Sequence, residues 1–201
     1  MKKLVSTLAP SILALALAIS FSANAMAGQA TDVVKANQQK LFTVIAKPKS
    51  KAQQDELRKM FDEYLAYDVF AQRSLGDEWG KLDAAQKEKF QDLLTQIIRN
   101  NYKRNLKKLL DFDISYQAEE SKSDGTLVNS IAKHKTDDRE PPFELDFLMK
   151  SVDGKMKIID IIPEDASMTK TYKAQFLRIL RKDGFDKLIQ KMEDKLAKMD
   201  A

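Results

Sequence analysis

The stretch over residues 142–168 constrains the fold most, because it predicts two strands of different character joined by a tight turn. Apolar and polar side chains alternate over residues 143–150, which is the period of a half-buried strand. Asp153-Gly154 supplies the turn, since Gly tolerates the positive φ that such turns require. Residues 155–163 are apolar on both faces and interrupted by Asp160. A strand of this kind must be covered on both faces, by helices or by something that the protein binds.

The N-terminus predicts export from the cytoplasm. Lys2 and Lys3 precede an apolar run over residues 8–21, and small residues follow that would allow cleavage near Ala25 or Ala27. The apolar run is shorter than the roughly 20 residues that a transmembrane helix needs. The pattern is that of a secretory signal peptide.

We therefore expect residues 1–27 to be a signal peptide and residues 28–201 to form a single α+β domain. The expected mature chain is nearly neutral, with 32 Lys and Arg against 30 Asp and Glu once the two leader lysines are removed. Its charges are interspersed, whereas nucleic-acid binding needs a concentrated basic face. With no Cys and one His, thiolate and imidazole metal sites are almost excluded, and we expect no metal and no cofactor.

Helical spacing and capping residues predict four helices before the sheet. Residues 50–53 and 83–86 have the form of capping boxes, and Asp68 is the expected cap of a short helix that ends at Gly76. The helix that starts after the second box is the longest and carries a wide apolar stripe to about Leu109.

Two further strands are predicted over residues 113–119 and 126–135, directly before the hairpin. Two amphipathic helices follow the hairpin and are separated at Asp183-Gly184. The order predicts an α+β fold in which a four-stranded antiparallel curved sheet packs against a long helix and flanking helices and encloses an apolar pocket. Such a pocket binds apolar ligands or holds a small active site.

Three residues are candidates for catalysis. Ser167 and His134 would need an Asp to form a triad, but neither lies in a motif that marks an activated residue. Asp160 lies among isoleucines and needs a partner, either as a structural anchor or as an acid or base beside Glu164 or Asp165. The structural alternative is the commoner one, because buried polar groups are usually paired.

Three segments, taken in chain order, carry a family resemblance. Residues 68–90, DVFAQRSLGDEWGKLDAAQKEKF, are similar to a D-x(n)-L-G-x-x-W-x-x-L-(T/D)-x-x-Q-x-x-x-F block. Residues 156–160, MKIID, are similar to a W-K-V-x-D strand, and residues 167–188, SMTKTYKAQFLRILRKDGFDKL, to an S-(L/M)-x(3)-Y-x-x-Q-F helix followed by G-x-x-x-L. The ordered set resembles the MlaC family, the periplasmic phospholipid-binding proteins also called toluene-tolerance proteins.

The chain departs from the family pattern at two places. Asp165-Ala166 stands where the family usually has Gly-Val, and Met156 stands where an aromatic residue is common. The first departure affects the turn before the last helices, and the second affects the shape of the pocket wall.

The resemblance implies a periplasmic phospholipid carrier and not an enzyme, with bound phospholipid as cargo. It implies exchange with an inner-membrane ABC transporter through its MCE-domain ring and with an outer-membrane lipoprotein-porin complex, which together maintain the lipid asymmetry of the outer membrane. The lipid-binding residues expected on this basis are Trp79, Ile98, Tyr102, Phe143, Leu145, Phe147, Ile158, Ile162, Ala166, Met168 and Phe176.

Two other classes of function stay open from the residues. One is a small exported hydrolase or isomerase on a cone-shaped α+β fold, with Asp160 or the pair Ser167 and His134 as its chemistry. The other is an exported scaffold whose apolar residues form an ordinary core and bind only protein partners.

Overall fold

The computed structural model describes residues 28–200, except for the side chains of residues 102–106 and 200, so the predicted signal peptide lies outside the described residues. The elements in chain order are α1 Gln29–Ile45, α2 Lys51–Tyr64, α3 Tyr67–Leu75, a 3-10 helix Gly76–Lys81, α4 Ala84–Leu109, β1 Phe112–Lys122, β2 Gly125–His134, β3 Phe143–Val152, β4 Lys155–Pro163 and α5 Met168–Asp200. None of the described helices is long and apolar enough to cross a membrane.

Two helices begin at the predicted capping residues. The Ser50 hydroxyl accepts a hydrogen bond from the backbone N–H of Gln53 at 3.1 Å. At the start of α4, Asp83 accepts from the backbone N–H of Gln86 at 2.8 Å, and the Gln86 side chain accepts from the N–H of Asp83 at 3.1 Å. These contacts satisfy N–H groups that the first helical turn leaves without a partner.

The start of α3 differs from the prediction. The helix begins at Tyr67, and the residue before it, Ala66, makes no side-chain cap, so the assignment of Asp68 as the cap was wrong. The N–H of Ala66 donates instead to the carbonyl of Ile158 at 3.0 Å, and Leu65 pairs with Ile158 as an isolated parallel bridge. The residues directly before α3 thus pair with the edge strand β4 at a single position. This pairing fixes the start of α3 to the sheet.

The four strands form one unclosed antiparallel sheet in the order β1-β2-β3-β4, as the sequence predicted. The register of β3 and β4 changes once, because Met149 pairs with Ile158 while Leu148 pairs with Asp160. One extra residue, Ile159, therefore lies in β4 opposite that step, which is the arrangement of a β-bulge.

The sheet is covered by helices on both faces of β4. One face carries Leu145, Met149, Ile158 and Ile161 and shares the main core with α1, α2, α4 and α5. We call it the cavity face. The opposite face carries Leu148 and Ile159, which pack against Ala66 and Val69 at the start of α3.

The long helix α4 belongs to the main core through a buried stripe that includes Phe90, Leu94, Ile97 and Ile98. Helix α5 packs against α3 and α4, and its backbone leaves helical values at Gly184, with φ 82° and ψ 176°. Because only Gly adopts that conformation readily, two helical segments meet at the predicted break.

Candidate functional site

An apolar cavity lies between the cavity face of the sheet and the pair of helices α1 and α2. Its volume is about 110 Å³. The sheet contributes Ile114, Leu145, Phe147, Ile158 and Ile161, and α1 and α2 contribute Val34, Asn37, Gln38, Leu41, Phe42, Phe61 and Tyr64. Leu65 directly after α2 and Leu109 at the end of α4 complete the lining. Twelve of these fourteen lining residues are hydrophobic, so the cavity suits an apolar ligand.

The sheet wall follows from the strand pattern together with the bulge. Leu145 and Phe147 line the cavity because alternate residues of β3 face the same side. In β4 the extra residue shifts that alternation, so Ile161 rather than Ile162 follows Ile158 on the cavity face. The expectation that Ile158 and Ile162 face the same side was therefore wrong, and Ile162 packs on the opposite face.

Five of the other predicted lipid-binding residues lie in or against the main core, away from the cavity lining. Trp79 packs edge-on against Phe90, with ring centroids 6.2 Å apart, and Phe90 packs edge-on against Phe176 at 5.4 Å. Ile98 is fully buried in α4. The ring of Phe143 packs edge-on against that of Phe112, with centroids 5.3 Å apart, and Met168 packs against the main core.

The remaining two predicted residues lie elsewhere. Ala166 is exposed in the turn between β4 and α5. The side chain of Tyr102 lies outside the described residues. Contact between lipid and any residue of the predicted set stays a prediction.

The helical wall of the cavity was missed by sequence reasoning. Val34, Leu41 and Phe42 of α1 and Phe61 of α2 line it, although only their helical spacing was recognised. An apolar stripe shows that a helix packs against something, but it does not show which element or cavity it meets.

Two polar contacts attach α1 to the sheet. The Tyr116 hydroxyl donates to Oε1 of Gln38 at 2.5 Å, and burial raises the pKa of that phenol. At the start of α1, the N–H of Thr31 donates to Glu119 at 2.6 Å. Burial alone would raise the pKa of Glu119, but hydrogen bonds from Thr31 and neighbouring backbone groups lower it below its ordinary value.

Gln53 holds α1 and α2 together. Its buried side-chain amide donates to the carbonyls of Val44, Ile45 and Lys47 at 3.0, 3.2 and 2.9 Å. These carbonyls lie at and just beyond the end of α1, where the helix leaves carbonyl groups without the regular helical N–H partner. The cavity wall made by the two helices is thus one connected unit.

Asp160 is a structural anchor between β4 and α5. Its carboxylate accepts from the Ser167 hydroxyl at 2.5 Å, from the Thr169 hydroxyl at 2.7 Å and from the Thr169 N–H at 3.0 Å. The N–H of Ile161 donates to it at 2.9 Å. These bonds satisfy a carboxylate that is only 1% exposed, which agrees with the structural alternative.

Arg73 extends this network to the turn between β1 and β2. Its guanidinium forms an ion pair with Asp124 and lies 3.5 Å from Oδ2 of Asp160. The hydrogen bond from Arg73 lowers the pKa of Asp124 below its ordinary value. Helix α3, the sheet and the start of α5 are therefore joined through one guanidinium.

The predicted catalytic pair is not assembled. Besides its bond to Asp160, the Ser167 hydroxyl accepts from the N–H of Lys170 at 3.1 Å and so caps α5. His134 lies at the end of β2, where its Nδ1 accepts from the N–H of Asp137 at 2.9 Å. Each side chain serves a local turn, and the two share no hydrogen-bond partner within residues 28–200. The same part of the chain holds no cluster of His, Asp and Glu that would bind a metal ion.

Two similar proteins share most of the length of this chain. The intermembrane phospholipid transport system binding protein MlaC of Haemophilus influenzae is 25% identical over 162 residues, which are 77% of this chain and 76% of that protein. The phospholipid-binding protein of Ralstonia solanacearum, solved in complex with a phospholipid, superimposes with a TM-score of 0.72 at 19% identity. That superposition covers 86% of this chain and 99% of the other and shows the same fold.

The family itself is shown by the sequence. The model of the MlaC protein family matches residues 35–194, which include all four strands, α2 and most of α1. All three segments that carried the resemblance lie within this range. The chain belongs to the MlaC family.

Proposed function

We propose that this protein is a periplasmic phospholipid carrier that buries acyl chains in the cavity between the α1–α2 pair and the sheet. The observation that carries the proposal is the apolar lining of that cavity in a chain of the MlaC family. The Haemophilus influenzae relative is named for intermembrane phospholipid transport, and the Ralstonia solanacearum protein holds a phospholipid on the same fold.

The physical need for such a cavity follows from the hydrophobic effect. Exposing two acyl chains to water costs on the order of 20 kcal/mol, at about 0.8 kcal/mol for each methylene. A cavity as apolar as the bilayer removes most of that cost, so lipid enters and leaves with a small change in free energy. A near-neutral exchange lets one carrier both collect and deliver lipid.

The cavity must enlarge to hold acyl chains. Its volume of about 110 Å³ is below the roughly 300–1,000 Å³ typical of small-molecule sites. The α1–α2 pair is the wall that can move, because few described polar bonds join it to the sheet. They are those of Gln38 with Tyr116 and of Glu119 with the start of α1, and the N–H of Ala66 directly after α2 donates to the carbonyl of Ile158. We propose that lipid entry displaces this pair from the cavity face.

We further propose that the carrier works between two membrane complexes. Its partners would be an inner-membrane ABC transporter with an MCE-domain ring and an outer-membrane lipoprotein-porin complex, and its role would be to maintain outer-membrane lipid asymmetry. The predicted signal peptide over residues 1–27 and the family membership support this placement in the periplasm.

The alternative of a hydrolase or isomerase has less support. Asp160 is occupied by hydroxyl and backbone donors, and Ser167 and His134 serve separate turns. A non-catalytic carrier uses all three residues as the structure places them. We therefore infer that the protein is not an enzyme.

A vesicle transfer assay tests the carrier. Lipid-free protein is mixed with donor vesicles that contain a self-quenched fluorescent phospholipid and with unlabelled acceptor vesicles, and the rise in fluorescence is followed. We expect Leu41→Glu to abolish protein-dependent transfer, because it places a charge in the half-buried apolar wall of the cavity.

Leu127→Glu is the matched control. Leu127 is also half-buried but packs on the opposite face of the sheet, so this variant is expected to transfer lipid at nearly the rate of the unmodified protein. Transfer that survives Leu41→Glu in a folded protein would contradict the proposed cavity.

A further inference from the structure

A second cleft lies between α2 and α4, and most of the residues that line it have charged or amide side chains. Its volume is about 210 Å³. Its lining contains two arginines, one carboxylate, two side-chain amides and two apolar side chains: Arg58, Arg99, Asp55, Gln54, Asn100, Leu57 and Phe61. The cleft is larger than the apolar cavity and differs from it in chemistry.

Phe61 separates the cleft from the apolar cavity. Among the residues whose side chains the structure describes, it alone lines both, and it is 8% exposed. An apolar cavity and a cleft that contains two guanidinium groups therefore adjoin each other across one aromatic side chain. In a glycerophospholipid the apolar acyl chains and the phosphate group likewise lie next to each other, joined through the glycerol.

Arg99 is held in a fixed orientation at the cleft. Its Nε and Nη2 donate to Oδ1 of Asp62 at 3.0 and 2.5 Å, and its Cζ lies 5.5 Å from the centroid of the Tyr67 ring. Both contacts orient the guanidinium without occupying all five of its N–H groups.

Arg58 faces the same cleft from α2. Its Nη2 donates to Oδ1 of Asp55 at 3.1 Å, which likewise leaves N–H groups for an anion. The charged lining side chains are the two guanidiniums and the Asp55 carboxylate, and the Asp62 carboxylate that pairs with Arg99 brings the formal charge of this group to zero. Guanidinium groups bind phosphate through paired N–H donors, which suits them to a phosphate diester.

We infer that the cleft binds the phosphate group of the carried glycerophospholipid, with Arg58 and Arg99 as its ligands and with the acyl chains passing Phe61 into the apolar cavity. This assignment rests on the proposed carrier function, since the cavity must first take acyl chains. It gives the carrier a means to prefer phospholipids over neutral lipids that have the same chains.

The test compares two lipids that differ only in the head group. Lipid-free protein is incubated with vesicles containing equal amounts of dioleoyl phosphatidylglycerol and dioleoylglycerol, separated from them, extracted and analysed by mass spectrometry. We expect the unmodified protein to retain phosphatidylglycerol in excess. Arg58→Gln with Arg99→Gln should lower the ratio of retained phosphatidylglycerol to dioleoylglycerol about tenfold, the effect of losing charge-assisted hydrogen bonds.

Arg139→Gln is the control for loss of one positive charge. Arg139 forms an ion pair with Asp137 in the loop before β3, far along the chain from the cleft, and its loss should leave the ratio within about twofold. Both lipids come from the same vesicle, so a weaker attraction of the protein to the anionic surface cancels in the ratio. Arg58→Gln alone, at a side chain that is 56% exposed, gives the same test if the double variant does not fold.

The outcomes separate this assignment from the carrier function. An unchanged ratio in a folded variant that still retains lipid overturns the phosphate site and leaves the carrier standing. Retention of neither lipid by the unmodified protein overturns the carrier function itself. A shift of the Arg99 Nε–Hε NMR signal on adding inorganic phosphate as large as the shift on adding phospholipid would assign the cleft to free anions and also overturn the head-group site.

Discussion

Asp160 joins two elements through hydrogen bonds that leave it nearly inaccessible to water. Its carboxylate binds Ser167 and Thr169 at the start of α5, while its own residue belongs to β4. A buried carboxylate without these donors would be strongly unfavourable. The residue therefore fixes the position of the last helices relative to the sheet.

We predict that Asp160→Asn destabilises the protein by about 1–3 kcal/mol, because one oxygen that accepts hydrogen bonds becomes an NH₂ group facing hydroxyls and an N–H. Urea unfolding followed by circular dichroism measures the change. Asp113→Asn is the control, since that side chain is 80% exposed and should change stability by less than about 0.5 kcal/mol. Equal stability of the two variants would show that Asp160 is not an anchor.

Asp165 occupies a backbone conformation that most residues avoid. Its φ is 62°, in the left-handed region, at the position where the family usually has Gly. Asp tolerates that region better than branched residues do, so an Asp can occupy this position of the turn.

Substitution by a β-branched residue tests this explanation. Asp165→Val should lower the free energy of unfolding by about 1–2 kcal/mol, whereas Asp165→Gly should be tolerated. Ala166→Val is the control, because the neighbouring exposed Ala166 does not have a positive φ. Similar losses for both valine variants would mean that the backbone of Asp165 is not the cause.

At the residue scale, the sequence predicted that Asp160 needs hydrogen-bond partners but did not predict which residues supply them. An acid among isoleucines indicates a buried carboxylate, and that inference holds for Asp160. Its partners Ser167 and Thr169 lie beyond the turn that returns the chain, and no local pattern marks them as its ligands. The Ser167 hydroxyl caps α5 and at the same time donates to Asp160.

The elements themselves were predictable where their signals are local. Capping boxes located the starts of α2 and α4, and Asp153-Gly154 located the hairpin turn between β3 and β4. The bulge in β4 was not predictable, because a run of isoleucines has no alternation in which an extra residue would show. It transferred Ile162 to the opposite face and brought Ile161 to the cavity.

The attachment of α1 to β1 should depend on pH. Glu119 has a pKa below its ordinary value in the folded protein, so it stabilises the fold fully above its unfolded pKa, near 4.5, and loses that contribution as the pH falls through the folded pKa. Glu119→Gln should therefore lower the melting temperature at pH 7 and have a smaller effect once the pH falls through the folded pKa of Glu119.

Thermal unfolding at several pH values measures this difference. Glu88→Gln, at an exposed position of α4, serves as the control for removal of one glutamate carboxylate. A Glu119→Gln effect that is the same at pH 7 and pH 3 would show that the carboxylate charge does not hold α1 to the sheet.

The whole molecule combines a sheet that is apolar on both faces of one strand with helices that cover those faces unequally. The start of α3 packs directly on the opposite face, while α1 and α2 leave a cavity over the other face. The order of helices and strands predicted the α+β class, and the ordered motifs predicted the MlaC family. The choice of α1 and α2 as cavity walls was beyond the sequence, because cavity lining and ordinary core have the same helical spacing.

The most direct test of the carrier function is the lipid content of the mature protein. The protein is purified from the periplasm without detergent, extracted with organic solvent, and the lipid in the extract is quantified by mass spectrometry against protein concentration. We predict near-stoichiometric diacyl phospholipid, and less of it from Leu41→Glu purified in parallel. A folded protein that yields no phospholipid would contradict the account.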